Sequence, residues 1–121
     1  MGFQKIAEGK IEKAEDNYVY VNVQGRIIKS KVSKNIKNDG KGFVYIRQKN
    51  LVLEKSESEN NILGNVVSKI FQGDTMLYMI EIGKKELIKA EVPVEKALWN
   101  EEDDVLIKLI PDLCVAFDEE E

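Results

Sequence analysis

The chain has 121 residues, 43% of them hydrophobic and 33% charged, with a formal net charge of −4, no histidine and one cysteine. That balance fits one globular domain, or two very small lobes sharing a core. It excludes an internal disulfide framework and histidine-based catalysis, and it speaks against a protein that neutralises nucleic-acid phosphates.

No stretch approaches the roughly 20 apolar residues of a membrane-spanning helix. Met1-Gly2-Phe3-Gln4-Lys5 has no apolar signal region, and Ile6 stands where myristoylation needs Ser or Thr. A lone cysteine suits a reducing compartment.

In chain order the hydrophobic period is two. Within Tyr18-Val19-Tyr20-Val21-Asn22-Val23 the valines share one face and the tyrosines the other, which predicts a half-buried strand. Gln24-Gly25 makes a tight turn into a strand over 26–32. Ser33 is placed to cap a single turn over 33–37. Asn38-Asp39-Gly40-Lys41-Gly42 is a turn before a strand at 43–47, and Leu51-Val52-Leu53 closes the unit.

Lys55-Ser56-Glu57-Ser58-Glu59-Asn60-Asn61 is too polar for a core strand and reads as a linker. Beyond it come strands at 62–71 and 75–82 around Gln72-Gly73-Asp74, then a strand at 86–92 after Gly83-Lys84-Lys85. Pro93 suits the start of a short helix over 94–99, and strands at 105–110 and 113–117 finish the chain.

The second half restates the first. IIKSKV at 27–32 answers LIKAEV at 87–92, and Gly9-Lys10-Ile11 answers Gly64-Asn65-Val66. Val21-Asn22-Val23 answers Ile80-Glu81-Ile82, Val44-Tyr45-Ile46-Arg47 answers Val105-Leu106-Ile107-Lys108, and Leu51 answers Leu113. Ordered matches of this kind mark an internal duplication. Five strands with a short helix between the third and fourth is the plan of an OB-type barrel. The expected fold is therefore all-β, two tandem OB-like five-stranded units, with an exchanged strand between them left open. The units span 1–54 and 62–121, joined by the linker 55–61.

Little here carries catalysis. Cys114 lies between Leu113 and Val115 without a partner that would make it a thiolate, so it reads as core. No phosphate-cradling glycine loop and no C-x-x-C occur. The acidic runs Glu101-Glu102-Asp103-Asp104 and Asp118-Glu119-Glu120-Glu121 read as a solvated turn and tail rather than metal loops. Trp99 reads as a lid on a barrel end. Tyr18 and Tyr20 beside Lys29 and Lys31 make the best case for a nucleic-acid-binding face, yet tyrosine on a half-exposed sheet and lysine on an edge account for them equally. No nucleic-acid partner is expected.

The double unit, Val44-Tyr45-Ile46-Arg47-Gln48-Lys49-Asn50-Leu51, and Phe71-Gln72-Gly73 before a strand resemble the TOBE (transport-associated OB) region of bacterial ABC importer ATP-binding subunits. Arg47 and Leu51 keep that family's pattern; Gln48, Lys49 and Asn50 depart from its Pro, Glu and Asp. The resemblance implies a non-catalytic accessory domain for subunit association and regulation, polyamine import being the first guess, with Arg47, Lys49 and Asn50 as candidate regulatory contacts. It implies no cofactor in this chain, ATP and Mg belonging to an upstream nucleotide-binding domain. Implied partners are a second copy, that domain and membrane permease subunits, at the cytoplasmic face of the cell membrane.

Small molybdate-binding proteins share this barrel and give the alternative, a free-standing oxyanion binder. Their S-A-R-N-Q-L-K-G segment is similar to Ser58-Glu59-Asn60-Asn61-Ile62-Leu63-Gly64 here, without the arginine. This resemblance makes Ser58, Asn61, Ser68 and Lys69 candidate ligand contacts, while Glu59 would repel an anion.

Overall fold

A computed structural model describes residues 2–33, 36, 40–83 and 86–120. Among the described residues ten strands form, in order β1 (Phe3–Glu15), β2 (Tyr18–Val23), β3 (Arg26–Val32), β4 (Lys41–Arg47), β5 (Val52–Glu54), β6 (Asn61–Phe71), β7 (Thr75–Ile82), β8 (Glu86–Pro93), β9 (Asp104–Lys108) and β10 (Cys114–Phe117). Single 3-10 turns occupy Gln48–Asn50, Val94–Lys96 and Pro111–Leu113. The helix expected over 94–99 is only that one turn. The turn expected over 33–37, and parts of those at 38–42 and 83–85, lie outside the described residues. None of the described residues forms a helix long and apolar enough to cross a membrane.

The period-two reading of β2 holds: Val19 and Val21 are fully buried and point into a barrel. Both long opening strands bend, by the same means at equivalent places. β1 is bulged between Ile11 and Lys13 against β2, and β6 between Val66 and Ser68 against β7. A bulge adds twist and lets one strand serve both sides of a barrel. Two residues before each bulge stands a glycine where backbone or side chain passes too close for a Cβ. At Gly9 it would lie 1.9 Å from the Asn22 carbonyl oxygen, and at Gly64 2.5 Å from Ile80 Cγ2.

The strand exchange is present, and it is reciprocal. β1-β2-β3-β10-β4 close a barrel, so its fifth strand comes from the end of the chain. The second sheet runs β5-β9-β6-β7-β8, so the segment 51–53, expected to close the first unit, instead feeds β5 into the other lobe. β10 pairs antiparallel with β4 and parallel with β3, sealing its barrel; β5 pairs only with β9 and leaves its sheet curled but open against β8. One continuous core runs through both lobes, from Ile6 and Ile28 to Ile62 and Ile88. Cys114 lies in it, fully buried, and burial pushes its thiol up to about 12. A thiol so placed is a packing group.

Candidate functional site

The duplication makes the chain pseudo-symmetric, so two equivalent seams join the lobes: the start of β1 against β8, and the start of β6 against β3. Gln4 and Asn60 occupy the same place in the two repeats and do the same work. Asn60 Oδ1 accepts from the Lys29 backbone N–H at 2.6 Å while its Nδ2 donates to the Lys29 carbonyl at 3.1 Å and to the Leu109 carbonyl. Gln4 Oε1 accepts from the Lys89 N–H at 2.9 Å and its Nε2 donates to the Lys89 carbonyl. Each amide thus satisfies both backbone groups of one residue of the other lobe, Lys89 on the edge strand β8 and Lys29 on the part of β3 that β10, paired only at Lys31 and Val32, does not reach. Asn60 reaches its partners from a left-handed backbone, φ 60°, which asparagine tolerates better than most residues.

One residue further along, the seams diverge. Lys5 and Asn61 are equivalent, and so are Glu86 and Arg26. In the first seam Lys5 Nζ meets Glu86 at 3.2 Å, Glu8 at 2.6 Å and Glu120 of the C-terminal tail at 2.6 Å. Hydrogen bonds to Glu120 and then Glu8 hold the Lys5 ammonium above its ordinary value. Lys5, then Lys41 at 3.0 Å, hold the Glu8 carboxyl below its own.

In the second seam the polarity is reversed. Arg26 Nη1 donates to Oδ1 of the buried Asn61 at 2.7 Å, and Nη2 to Glu57 at 2.5 Å. Asn61 Nδ2 faces Glu54 at 3.4 Å, and the Ser58 hydroxyl donates to the same Glu54 oxygen at 2.7 Å. A guanidinium, an amide and a hydroxyl are thus gathered at one seam, Arg26 donating to Asn61 and Glu57, Asn61 and Ser58 to Glu54. Between the seams lies a cleft of about 530 Å³ with an apolar floor including Ile6 and Ile62, and Arg26 and Glu86 among its walls. A smaller hollow of about 300 Å³ opens beside Arg26, Glu54, Lys55 and Glu57.

Of the residues singled out by sequence, Ser58 and Asn61 meet in this second seam. The others lie elsewhere. Arg47 ends β4 with its guanidinium 4.7 Å over the Phe3 ring, and Lys49 and Asn50 sit in the turn packed on β8. Ser68 follows the bulge of β6, and Lys69 donates to Asn100 Oδ1 at 2.9 Å. Tyr18 and Tyr20 are faced by cations, Lys29 over Tyr18 at 4.4 Å and Lys13 over Tyr20 at 5.2 Å, and the Tyr18 hydroxyl is tied to Asp112. Trp99 is buried edge-on to Tyr78, whose hydroxyl binds both the Trp99 carbonyl and N–H.

Sequence reasoning passed over Arg26, Glu54 and Glu57. One signal was available: Arg26 and Glu86 stand one residue before the matched hexapeptides, where the repeat reverses charge.

A family model described as TOBE domain matches residues 44–117. No curated protein sequence matches the chain. Among solved structures, the cytoplasmic molybdate-binding protein ModG with molybdate bound superposes with a TM-score of 0.73 at 10% identity, over 91% of this chain and 92% of that one.

Proposed function

We propose, since the chain belongs to the TOBE domain family, that it is a non-catalytic protein that binds a small tetrahedral oxyanion of the molybdate kind at the Arg26 seam. The observation that carries this is a linked set of donors at one seam between the lobes: Arg26 and Glu54 line an exposed hollow, Asn61 accepts from Arg26, and Asn61 and Ser58 both donate to Glu54. The two-lobed architecture shared over nearly its whole length with a molybdate-binding protein supports it. Arg26 supplies the bidentate cationic fork, and Ser58 and Asn61 add neutral donors that favour an anion without fixing its identity. The missing arginine of the 58–64 segment is thereby replaced in space from β3. Isothermal titration with molybdate, tungstate, sulfate and phosphate tests the proposal. One saturable site for at least one dianion is expected; four flat titrations would overturn it.

A second reading, accessory domain of an ABC importer ATPase, is favoured by a different observation. Phe71, in the aromatic-x-glycine turn, and Leu98 are largely exposed on the second lobe, apolar surface of the kind a neighbouring subunit covers. Under it the chain self-associates as a two-fold dimer, works with a nucleotide-binding domain and permease subunits at the inner face of the membrane, and leaves ATP and Mg to that other domain. Flat oxyanion titrations together with dimerisation in sedimentation velocity would move the assignment here; a strict monomer would count against it.

A further inference from the structure

The donors of the Arg26 seam are not vacant. The chain's own carboxylates sit on them, and both come from the segment that crosses between lobes: Glu54 ends the exchanged strand β5, and Glu57 lies in the linker that follows. We infer that this segment is a built-in competitor, in which Glu57, and behind it Glu54, occupies the anion's place and is displaced when an oxyanion binds. The inference rests on the oxyanion reading and deepens it by naming the site's regulation.

The chemistry is that of exchange between like groups. A carboxylate on Arg26 Nη2 and a carboxylate on the Ser58 hydroxyl present the same acceptor oxygens that a tetrahedral oxyanion presents. Glu57 is the looser of the two. Its side chain is 68% exposed and Arg26's 37%, so their pair is a solvent-screened ion pair. Replacing such a pair costs an incoming anion no more than about fivefold in affinity. Glu54 holds two partners, Ser58 and Asn61, and is the tighter plug. Among the described residues, every buried side-chain polar atom has a partner, so the seam is internally satisfied by its own groups.

Displacement should also be visible. Lys55, between the two glutamates, holds its ammonium 5.9 Å from the centroid of Trp99, the chain's one tryptophan. When the Glu57 and Glu54 side chains give way to the anion, Lys55 between them shifts over the indole, and Trp99 emission changes with the same midpoint as binding.

The test is a titration of tungstate into the wild type, Glu57→Gln, the double variant Glu54→Gln/Glu57→Gln, and Asp104→Asn, with calorimetry and Trp99 fluorescence read together. Asp104 lines the same hollow but accepts from Asn65, so its variant removes charge without freeing a donor of the site. We expect Glu57→Gln to tighten binding about fivefold, the double variant to tighten it further, and Asp104→Asn, which removes only a repelling charge, to tighten it clearly less than Glu57→Gln does. Equal tightening in Asp104→Asn and Glu57→Gln would reduce the effect to net charge and overturn the plug. So would wild-type binding unchanged in Glu57→Gln, though the oxyanion reading would stand. Wild-type titrations that are flat with all four anions would sink the oxyanion reading itself, and the plug with it.

Discussion

The two seams are the same construction with the charges exchanged, and the difference between them decides which can hold a ligand. At the β1–β8 seam a single lysine is surrounded by Glu8, Glu86 and the tail's Glu120. At the β3–β6 seam an arginine stands where Glu86 does, and an asparagine stands where Lys5 does. The first is closed and acidic, its cation consumed. The second holds a planar, forked cation beside neutral donors, and the exposed Glu57 and half-buried Glu54 stand in an anion's way. Duplication supplied two equivalent places; reversal of one charge pair made one a strut and the other a candidate site.

The lobes themselves differ in the same spirit. β10 touches both of its neighbours and seals the first barrel, whereas three-residue β5 touches one and leaves the second sheet open. The largest expected effect tests how far the lobes are equivalent. Gly9→Ala puts a Cβ against a backbone carbonyl that cannot move without its strand, and should cost about 3–5 kcal/mol. Gly64→Ala meets a branch methyl of buried Ile80, which gives way only by small shifts of a stiff side chain rather than of a strand, and should cost about 1–3 kcal/mol. Denaturant unfolding of the two variants checks this, and equal losses would mean that the lobes yield alike.

Next come the amide clamps. Asn60→Ala orphans the Lys29 N–H and carbonyl and one partner of Leu109, a loss of about 2–3 kcal/mol. Gln4→Ala exposes its two Lys89 groups to water and should lose about 1 kcal/mol. A larger loss at Gln4 in thermal melts would reverse the ranking of the seams.

Smallest is the charge strut. Glu8's carboxyl is held low, so its contribution is present above the ordinary carboxylate pKa of about 4.3 and is lost as pH falls through its folded value. Lys5's ammonium is held high, so its contribution is present below about 10.4 and is lost only as pH rises through a still higher value. Lys5→Met should therefore cost about 1 kcal/mol across the neutral range, the gap from wild type closing as pH drops from 4 towards 3. Melts between pH 3 and 9 that show a constant gap would mean the lysine acts through packing alone.

Much of the fold was legible because period-two burial is written residue by residue: β2 and β3 have the boundaries that the pattern of valines and the Gln24-Gly25 turn predict. The possibility of exchange was legible too, but not its presence. Leu51–Leu53 and Leu113–Phe117 are short apolar segments of the same kind, and either lobe offers each the same partner strand. The site was half legible. Ser58 and Asn61 stood out through a local motif, while Arg26 reaches Asn61 from 35 positions away across a lobe boundary, a proximity no local spacing encodes.

The most direct test of the account sets the seams against each other in a single titration series. Tungstate is titrated calorimetrically into the wild type, Arg26→Ala and Lys5→Ala, each first checked for a cooperative melt. The account predicts saturable binding in the wild type, at least tenfold weaker in Arg26→Ala, and within about twofold of the wild type in Lys5→Ala. Binding that survives loss of Arg26 and falls with loss of Lys5 would contradict it, placing the anion in the acidic seam.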